Sequence, residues 1–180
     1  MSELVDENFN HLRNLASDIE LRLSGTSTAE QRLKNELAGM FAVTVAATYE
    51  GIIKDSLINY ATEIHPTYGQ HIEKDFEKLN ARVSLEHLKG YSILFGIPEW
   101  TRPGSVKKLT TFHRLLEQRM KVVERRFRKN PYDSYRNIFI WRNAYAHERT
   151  TSATFKDVYE SHRVAQYVVR TFVTSFDIGG

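Results

Sequence analysis

Apolar residues recur at intervals of three and four along nearly the whole chain, and such a chain buries them only by forming helices that pack on one another. Leu4, Val5, Phe9, Leu12, Leu15 and Ile19 mark a first helix that fades at Ser24-Gly25-Thr26-Ser27. Thr28 has the side chain of an N-cap. A long helix is expected from about Ala29 to Ile64, with Leu33, Leu37, Met40, Phe41, Thr44, Ala47, Ile52 and Leu57 as its inward stripe. Its centre, Val43-Thr44-Val45, is apolar nearly all round, as in the buried spine of a bundle. Pro66 closes it; a short amphipathic stretch (Ile72, Phe76, Leu79) and a helix with Leu85, Leu88, Ile93 and Leu94 follow, up to the turn signals Gly96, Pro98, Pro103 and Gly104. Three helices are expected beyond, over about 105–128, 132–146 and 155–176. Asn130-Pro131 divides the first two, and Thr154 with Asp157 forms a capping box for the third. There is no internal repeat and no βαβ alternation. The expected fold is all-α, one domain over residues 1–180 built as a bundle of about five to seven helices.

Composition removes several function classes. The chain has no cysteine, so disulfides, thiolate zinc sites, iron–sulfur clusters and cysteine nucleophiles are all excluded. The apolar stretch Leu37 to Tyr49 is shorter than the ~20 residues that span a bilayer, and the start MSELVDENFN is acidic where a signal peptide is basic and then apolar. A cytoplasmic protein with no membrane association is expected. Net charge is only +3, but residues 1–90 hold nine Lys/Arg against fourteen Asp/Glu, while residues 91–180 hold sixteen against eight. The basic half suggests a polyanionic partner, because clustered cations release counterions condensed on nucleic acid. Its densest part contains Arg119, Lys121, Arg125, Arg126, Arg128 and Lys129, interrupted by Glu124. The competing reading is a solvated helix end whose cations face the carbonyl dipole.

No phosphate-binding glycine loop, dinucleotide fingerprint, HExxH or GxSxG is present. Of the seven histidines, six sit in no array that suggests a metal cage, and no metal or cofactor is expected. His147 differs: it closes Trp141-Arg142-Asn143-Ala144-Tyr145-Ala146-His147 at the end of a helix. Asn143 and His147 share a helix face, whereas Arg142 and His147 diverge by about 140°. Either the helix ends before His147 and lets it turn back, or two copies face each other across a dimer and complete one site. These residue types suit cleavage of an RNA phosphodiester. The 2′-hydroxyl is an internal nucleophile, histidine moves protons near neutral pH, and arginine offers a charged fork to phosphate oxygens. Asn143 would orient the imidazole or bond a phosphate or sugar oxygen. Arg-x4-His alone is cheap, and a second copy, Arg82 to His87, is read as chance. The added Asn lowers the random expectation to roughly one per cent for this length. A plain helix C-terminus with cationic side chains remains the competing reading.

Through Arg142-Asn143-Ala144-Tyr145-Ala146-His147, between the penultimate long helix and a final amphipathic one, the chain resembles the HEPN-domain family. That family comprises all-α ribonucleases and RNA-binding modules of toxin–antitoxin, abortive-infection and CRISPR-associated systems. Ala47-Thr48-Tyr49-Glu50-Gly51-Ile52-Ile53-Lys54 followed by Tyr60 resembles the subgroup of stand-alone, defence-associated nucleases. The resemblance implies a homodimer with a composite cleft and metal-independent endoribonuclease activity leaving a 2′,3′-cyclic phosphate and a 5′-hydroxyl. It implies catalytic roles for Arg142, Asn143 and His147; in a ribonuclease the basic run Arg125, Arg126, Arg128 and Lys129, read from the charge distribution, would guide RNA to the cleft. Glu50 matches a polar position facing the motif, where it would orient Arg142 or the substrate; pairing with Lys54 on its own helix is the competing reading. Members silenced by a nucleotidyltransferase antitoxin carry Tyr two residues after the motif His. Here that residue is Arg149, so an antitoxin of that class is not expected, while another antitoxin or defence-system partner is. The alternatives are a non-catalytic RNA-binding or scaffold module of the same family and a plain helical interaction module.

Overall fold

The computed structural model describes residues 2–22, 27–78, 83–96, 99–101 and 108–177. Seven helices lie among them: α1 (Ser2–Arg22), α2 (Thr28–Ile64), α3 (Pro66–Lys78), α4 (Leu85–Leu94), α5 (Thr111–Phe127), α6 (Pro131–Glu148) and α7 (Phe155–Asp177). The architecture is all-α apart from one small hairpin, β1 (Glu99–Thr101) paired antiparallel with β2 (Lys108–Thr110). That hairpin corrects the expected start of the fifth helix near residue 105. Residues 108–110 pair as a strand, and the helix begins at Thr111, where the Thr110 hydroxyl lies 2.8 Å from His113 Nδ1.

The 37-residue α2 is the spine of the bundle and packs on α3, α6 and α7. Ser27, not Thr28, caps it. Ser27 N–H donates to Glu30 Oε2 (3.1 Å) and Glu30 N–H donates to Ser27 Oγ (3.3 Å), the reciprocal pair of a capping box. Ala38, Ala42, Val45, Tyr49, Ile52 and Ser56 form its buried face, flanked by Phe41, Ala46, Ile53 and Leu57. An 18-residue window of α2 reaches a mean hydropathy of 1.3, apolar enough by composition to cross a membrane, and half of it is buried inside the bundle. A helix covered by neighbours on several sides needs that apolarity in water too.

Leu33, Met40 and Ala47 do not point inward: Leu33 is 48% and Met40 53% exposed, and Ala47 is exposed, while on the same stripe Leu37 packs partly buried against the core and Thr44 is half-buried. Spacings of four, three, four and three make them a separate apolar seam, the pattern of a helix prepared to meet another helix. The Thr44 hydroxyl donates to the Met40 carbonyl (3.0 Å), satisfying its polar group within the helix.

α7 supplies the other half of the core through Val158, Ala165, Val168, Val169 and Phe172, all fully buried. Its capping box is as expected, with Thr154 N–H and hydroxyl both donating to Asp157 Oδ2 and Asp157 N–H donating back to Thr154 Oγ1 (3.2 Å). Leu88 of α4 is buried, whereas Ile93 and Leu94 are exposed. Leu79 and residues 23–26 lie outside the described residues.

Candidate functional site

α6 carries the Arg-Asn-x3-His string on its C-terminal turns. Asn130 caps its start by accepting from the N–H groups of Tyr132 (2.9 Å) and Asp133 (3.2 Å), with Pro131 at the first helical position. The helix continues through His147 to Glu148. It stops at Arg149, which adopts the left-handed conformation (φ 52°) and donates its N–H to the Tyr145 carbonyl (2.9 Å). A helix that ends before His147 is therefore not what forms. Arg142 and His147 sit on one continuous helix, about 140° and ~7.5 Å apart by helical geometry.

The motif end of α6 is clamped onto α2. The Tyr145 ring packs so closely over Gly39 that a Cβ there would collide with it, and the Tyr145 hydroxyl donates to Glu36 Oε2 (3.1 Å). Gly39 thus sets the closest approach of the two helices. One helical step beyond Tyr49, whose ring stacks on Tyr135 of α6 at 5.8 Å, α2 delivers Glu50 to the motif. Arg142 Nη2 lies 3.7 Å from Glu50 Oε1, and Arg142 Nη1 donates to Asn143 Oδ1 (2.9 Å). Glu50 therefore meets Arg142 and is in no described ion pair with Lys54. Burial raises the Glu50 carboxyl above its ordinary pKa, and the Arg142 charge opposes that rise. With side chains 38% and 27% exposed, Arg142 and Glu50 form a half-open pair that keeps a guanidinium fixed yet reachable.

Arg142, Asn143 and Glu50 line a cavity of about 560 Å³ between α6 and the first turn of α4, together with Arg136, Phe139 and His87. The opposite wall is held by Tyr135, whose hydroxyl donates to the Val83 carbonyl. Ser84 then caps α4 by accepting from the His87 N–H (3.3 Å), and its hydroxyl lies 2.7 Å from His87 Nδ1. The His87 ring leans against Tyr91 at 6.5 Å. His87 is the residue that sequence reasoning passed over: Arg82 to His87 counted as a chance copy of the motif, and Arg82 lies outside the described residues. The readable signal was Ser84-x-x-His87 at a helix start, which fixes an imidazole at a helix N-terminus.

His147 does not line this cavity; it is exposed one turn beyond Asn143 toward the end of α6. Nor do Arg125, Arg126, Arg128 and Lys129, which sit around the end of α5, about 17 Å along α6 from Arg142 at ~1.5 Å per residue. That run is also not uniform. Lys129 pairs with Glu160 of α7, Arg128 takes a left-handed conformation (φ 55°) as the C-cap of α5, and the Arg126 guanidinium stacks over Phe127 at 5.5 Å. Trp141 and Phe139 pack partly buried against the core. Among the described residues, no three His, Asp or Glu side chains gather closely enough to hold a metal ion.

No curated protein and no solved structure matches the chain. A family model described as RiboL-PSP-HEPN matches residues 7–177, from the second turn of α1 to the last residue of α7. With a seven-helix bundle carrying Arg142-Asn143-x3-His147 before its last helix, the chain belongs to that HEPN-domain family.

Proposed function

We propose that the protein is a metal-independent endoribonuclease working as a homodimer. The observation that carries this reading is the Arg142 guanidinium, held by Glu50 and Asn143 on the wall of a cavity yet left partly exposed. That is how a cation is kept in place for a phosphodiester without being neutralised. In the reaction, the 2′-oxygen of RNA attacks the adjacent phosphorus and loses its proton to a base. The P–O5′ bond breaks, and the departing oxygen takes up a proton to become a 5′-hydroxyl, leaving a 2′,3′-cyclic phosphate. His147 exchanges these protons, Arg142 neutralises charge on the pentavalent phosphate, and Asn143 positions. His147 reaches an Arg142 cavity from the second chain. The seam Leu33-Leu37-Met40-Thr44-Ala47 provides the contact, on the same helix that is clamped to the motif through Gly39 and Tyr145. The dimer expectation makes its own prediction: Met40→Asp should yield a folded monomer by light scattering with cleavage reduced at least tenfold. A dimer of unchanged stability would remove the seam from the interface.

Arg125, Arg126, Arg128 and Lys129 would draw RNA to the remote end of α6. The family resemblance supports a role in antiviral defence or as a toxin, in the cytoplasm, with an antitoxin or defence-system partner other than a Tyr-modifying nucleotidyltransferase. One observation favours a second reading, a non-catalytic RNA-binding module: His147 lies outside the cavity that holds Arg142. Incubation of wild type and His147→Ala with total RNA in EDTA, followed by end-group analysis, separates the two. Cyclic-phosphate ends from wild type alone support the nuclease. Tight binding without product, or equal cleavage by both, supports the module.

A further inference from the structure

Apart from the Arg142 cavity, with which it shares no lining residue, one depression of about 210 Å³ is lined by arginines from three different helices. Arg13 comes from α1, Arg126 from α5 and Arg163 from α7. No acidic side chain lines it, and among the described residues none of the three arginines is in an ion pair. That is unusual for three converging cations, because each raises the cost of the other two unless an anion joins them. Their forks are oriented by stacking. Arg126 and Arg163 both lie over the Phe127 ring, at 5.5 and 5.8 Å from its centroid. Phe127, the buried His162 and the two tyrosines Tyr159 and Tyr167 line it as well, and Gln166 adds a side-chain amide.

We propose that this depression is a second binding site, for a terminal phosphate group carrying two or more negative charges, as on a nucleotide or a 5′-phosphorylated RNA end. Geometry and charge both select that class. A strand running along a surface needs cations spaced along its backbone, one charge per phosphodiester. Three guanidiniums around one compact depression instead match a single phosphoryl group whose oxygens accept several forked hydrogen bonds at once. Of the basic run, Arg126 is the member that lines this depression. Arg125 and Arg128 line a different depression with Glu124 at the end of α5. The proposal does not depend on ribonuclease activity, since neither Arg142 nor His147 lines this site.

The test is calorimetric titration of the intact protein at physiological salt with inorganic tripolyphosphate, ATP, and one short RNA bearing either a 5′-triphosphate or a 5′-hydroxyl. Tripolyphosphate should bind, and Arg126→Ala or Arg163→Ala should weaken it at least tenfold. Arg126→Lys, which keeps the charge but not the fork, should fall between. Arg142→Ala and His147→Ala should leave it unchanged, whatever their effect on RNA cleavage. Preference for ATP over both RNAs identifies a nucleotide ligand. Preference for the 5′-triphosphate RNA over its 5′-hydroxyl form identifies an RNA end. No binding by tripolyphosphate, ATP or the 5′-triphosphate RNA overturns the proposal, as does binding lost with Arg142→Ala but retained when Arg13, Arg126 and Arg163 are all alanine in a protein of unchanged helicity.

Discussion

Mixing Arg142→Ala protein with His147→Ala protein should restore cleavage that neither variant performs alone. Each variant by itself is expected to lose at least ~10²-fold in rate, the scale on which removal of a proton-transfer group or of a phosphate-stabilising cation acts. The reason to expect recovery is geometric. α6 is unbroken through Glu148, so Arg142 and His147 of one chain point to different sides, and the Arg142 cavity contains no His147. In a two-fold dimer, each chain offers the same pair of patches to its partner. A mixed dimer therefore keeps one intact pairing, Arg142 from one chain with His147 from the other. Random exchange makes half the dimers mixed, each with one of two pairings intact, so about a quarter of wild-type activity should return. Mass spectrometry of the mixture verifies exchange. Mixed dimers with no recovered activity would mean that the two residues do not meet across an interface. His87, the imidazole inside the Arg142 cavity, would then be the proton-transfer group to substitute next.

The helices were legible because their signals are local. Asn130-Pro131, Thr154 with Asp157, and Pro66 each mark an end through backbone hydrogen bonds within four residues, and the structure places helix ends there. The orientation of α2 was not. Leu33, Met40 and Ala47 repeat at helical spacing just as well as Ala38, Val45 and Ile52, and periodicity cannot say which of two apolar stripes faces the core. Small residues decide it: Ala38, Gly39, Ala42 and Ala46 let α6 and α7 approach, a property of volume that a hydrophobicity pattern misses. The site divides the same way. Arg142 and Asn143 could be found as neighbours in sequence, whereas Glu50 as their partner depends on α2 crossing α6. Pairing with Lys54 was the local explanation, and tertiary packing overrode it. His87 reaches the cavity because Tyr135 anchors Val83, a hydrogen bond between residues 52 positions apart that leaves no linear trace. The hairpin escaped notice for another reason: its two strands are only three residues each.

Acid should destabilise the fold well before its carboxylates are titrated. His162 of α7 is 2% exposed, packed edge-on against Phe9 and Phe41, with Nδ1 3.0 Å from the Tyr49 hydroxyl. Burial first, then the nearby positive charges of Arg13 and Arg170, pushes its pKa down from 6.5 to about 4. The unfolded chain thus binds a proton at pH 5 that the folded one refuses, and stability falls with pH wherever the unfolded state holds more protons. This penalty is absent above pH 6.5. It grows by about 1.4 kcal/mol per pH unit on the way down to pH 4 and levels off near 3 kcal/mol below that. Glu86, Asp157 and Glu160 have lowered pKa values, so their contributions disappear only as pH falls below the ordinary carboxylate range. His113, also lowered by partial burial, acts in the same direction as His162 and requires its own substitution as a control. Urea unfolding at several pH values between 7 and 4.5 measures the slope for wild type, His162→Gln and His113→Gln. The His162→Gln protein should be less stable at pH 7, because the Tyr49 hydroxyl and two aromatic rings lose a fitted partner, yet clearly less steep across that range than wild type, with the slope from His113 remaining. If it loses stability with acid as steeply as wild type, buried His162 is not the group that sets the acid limit. The neutral imidazole would then be only a packing element between α1, α2 and α7.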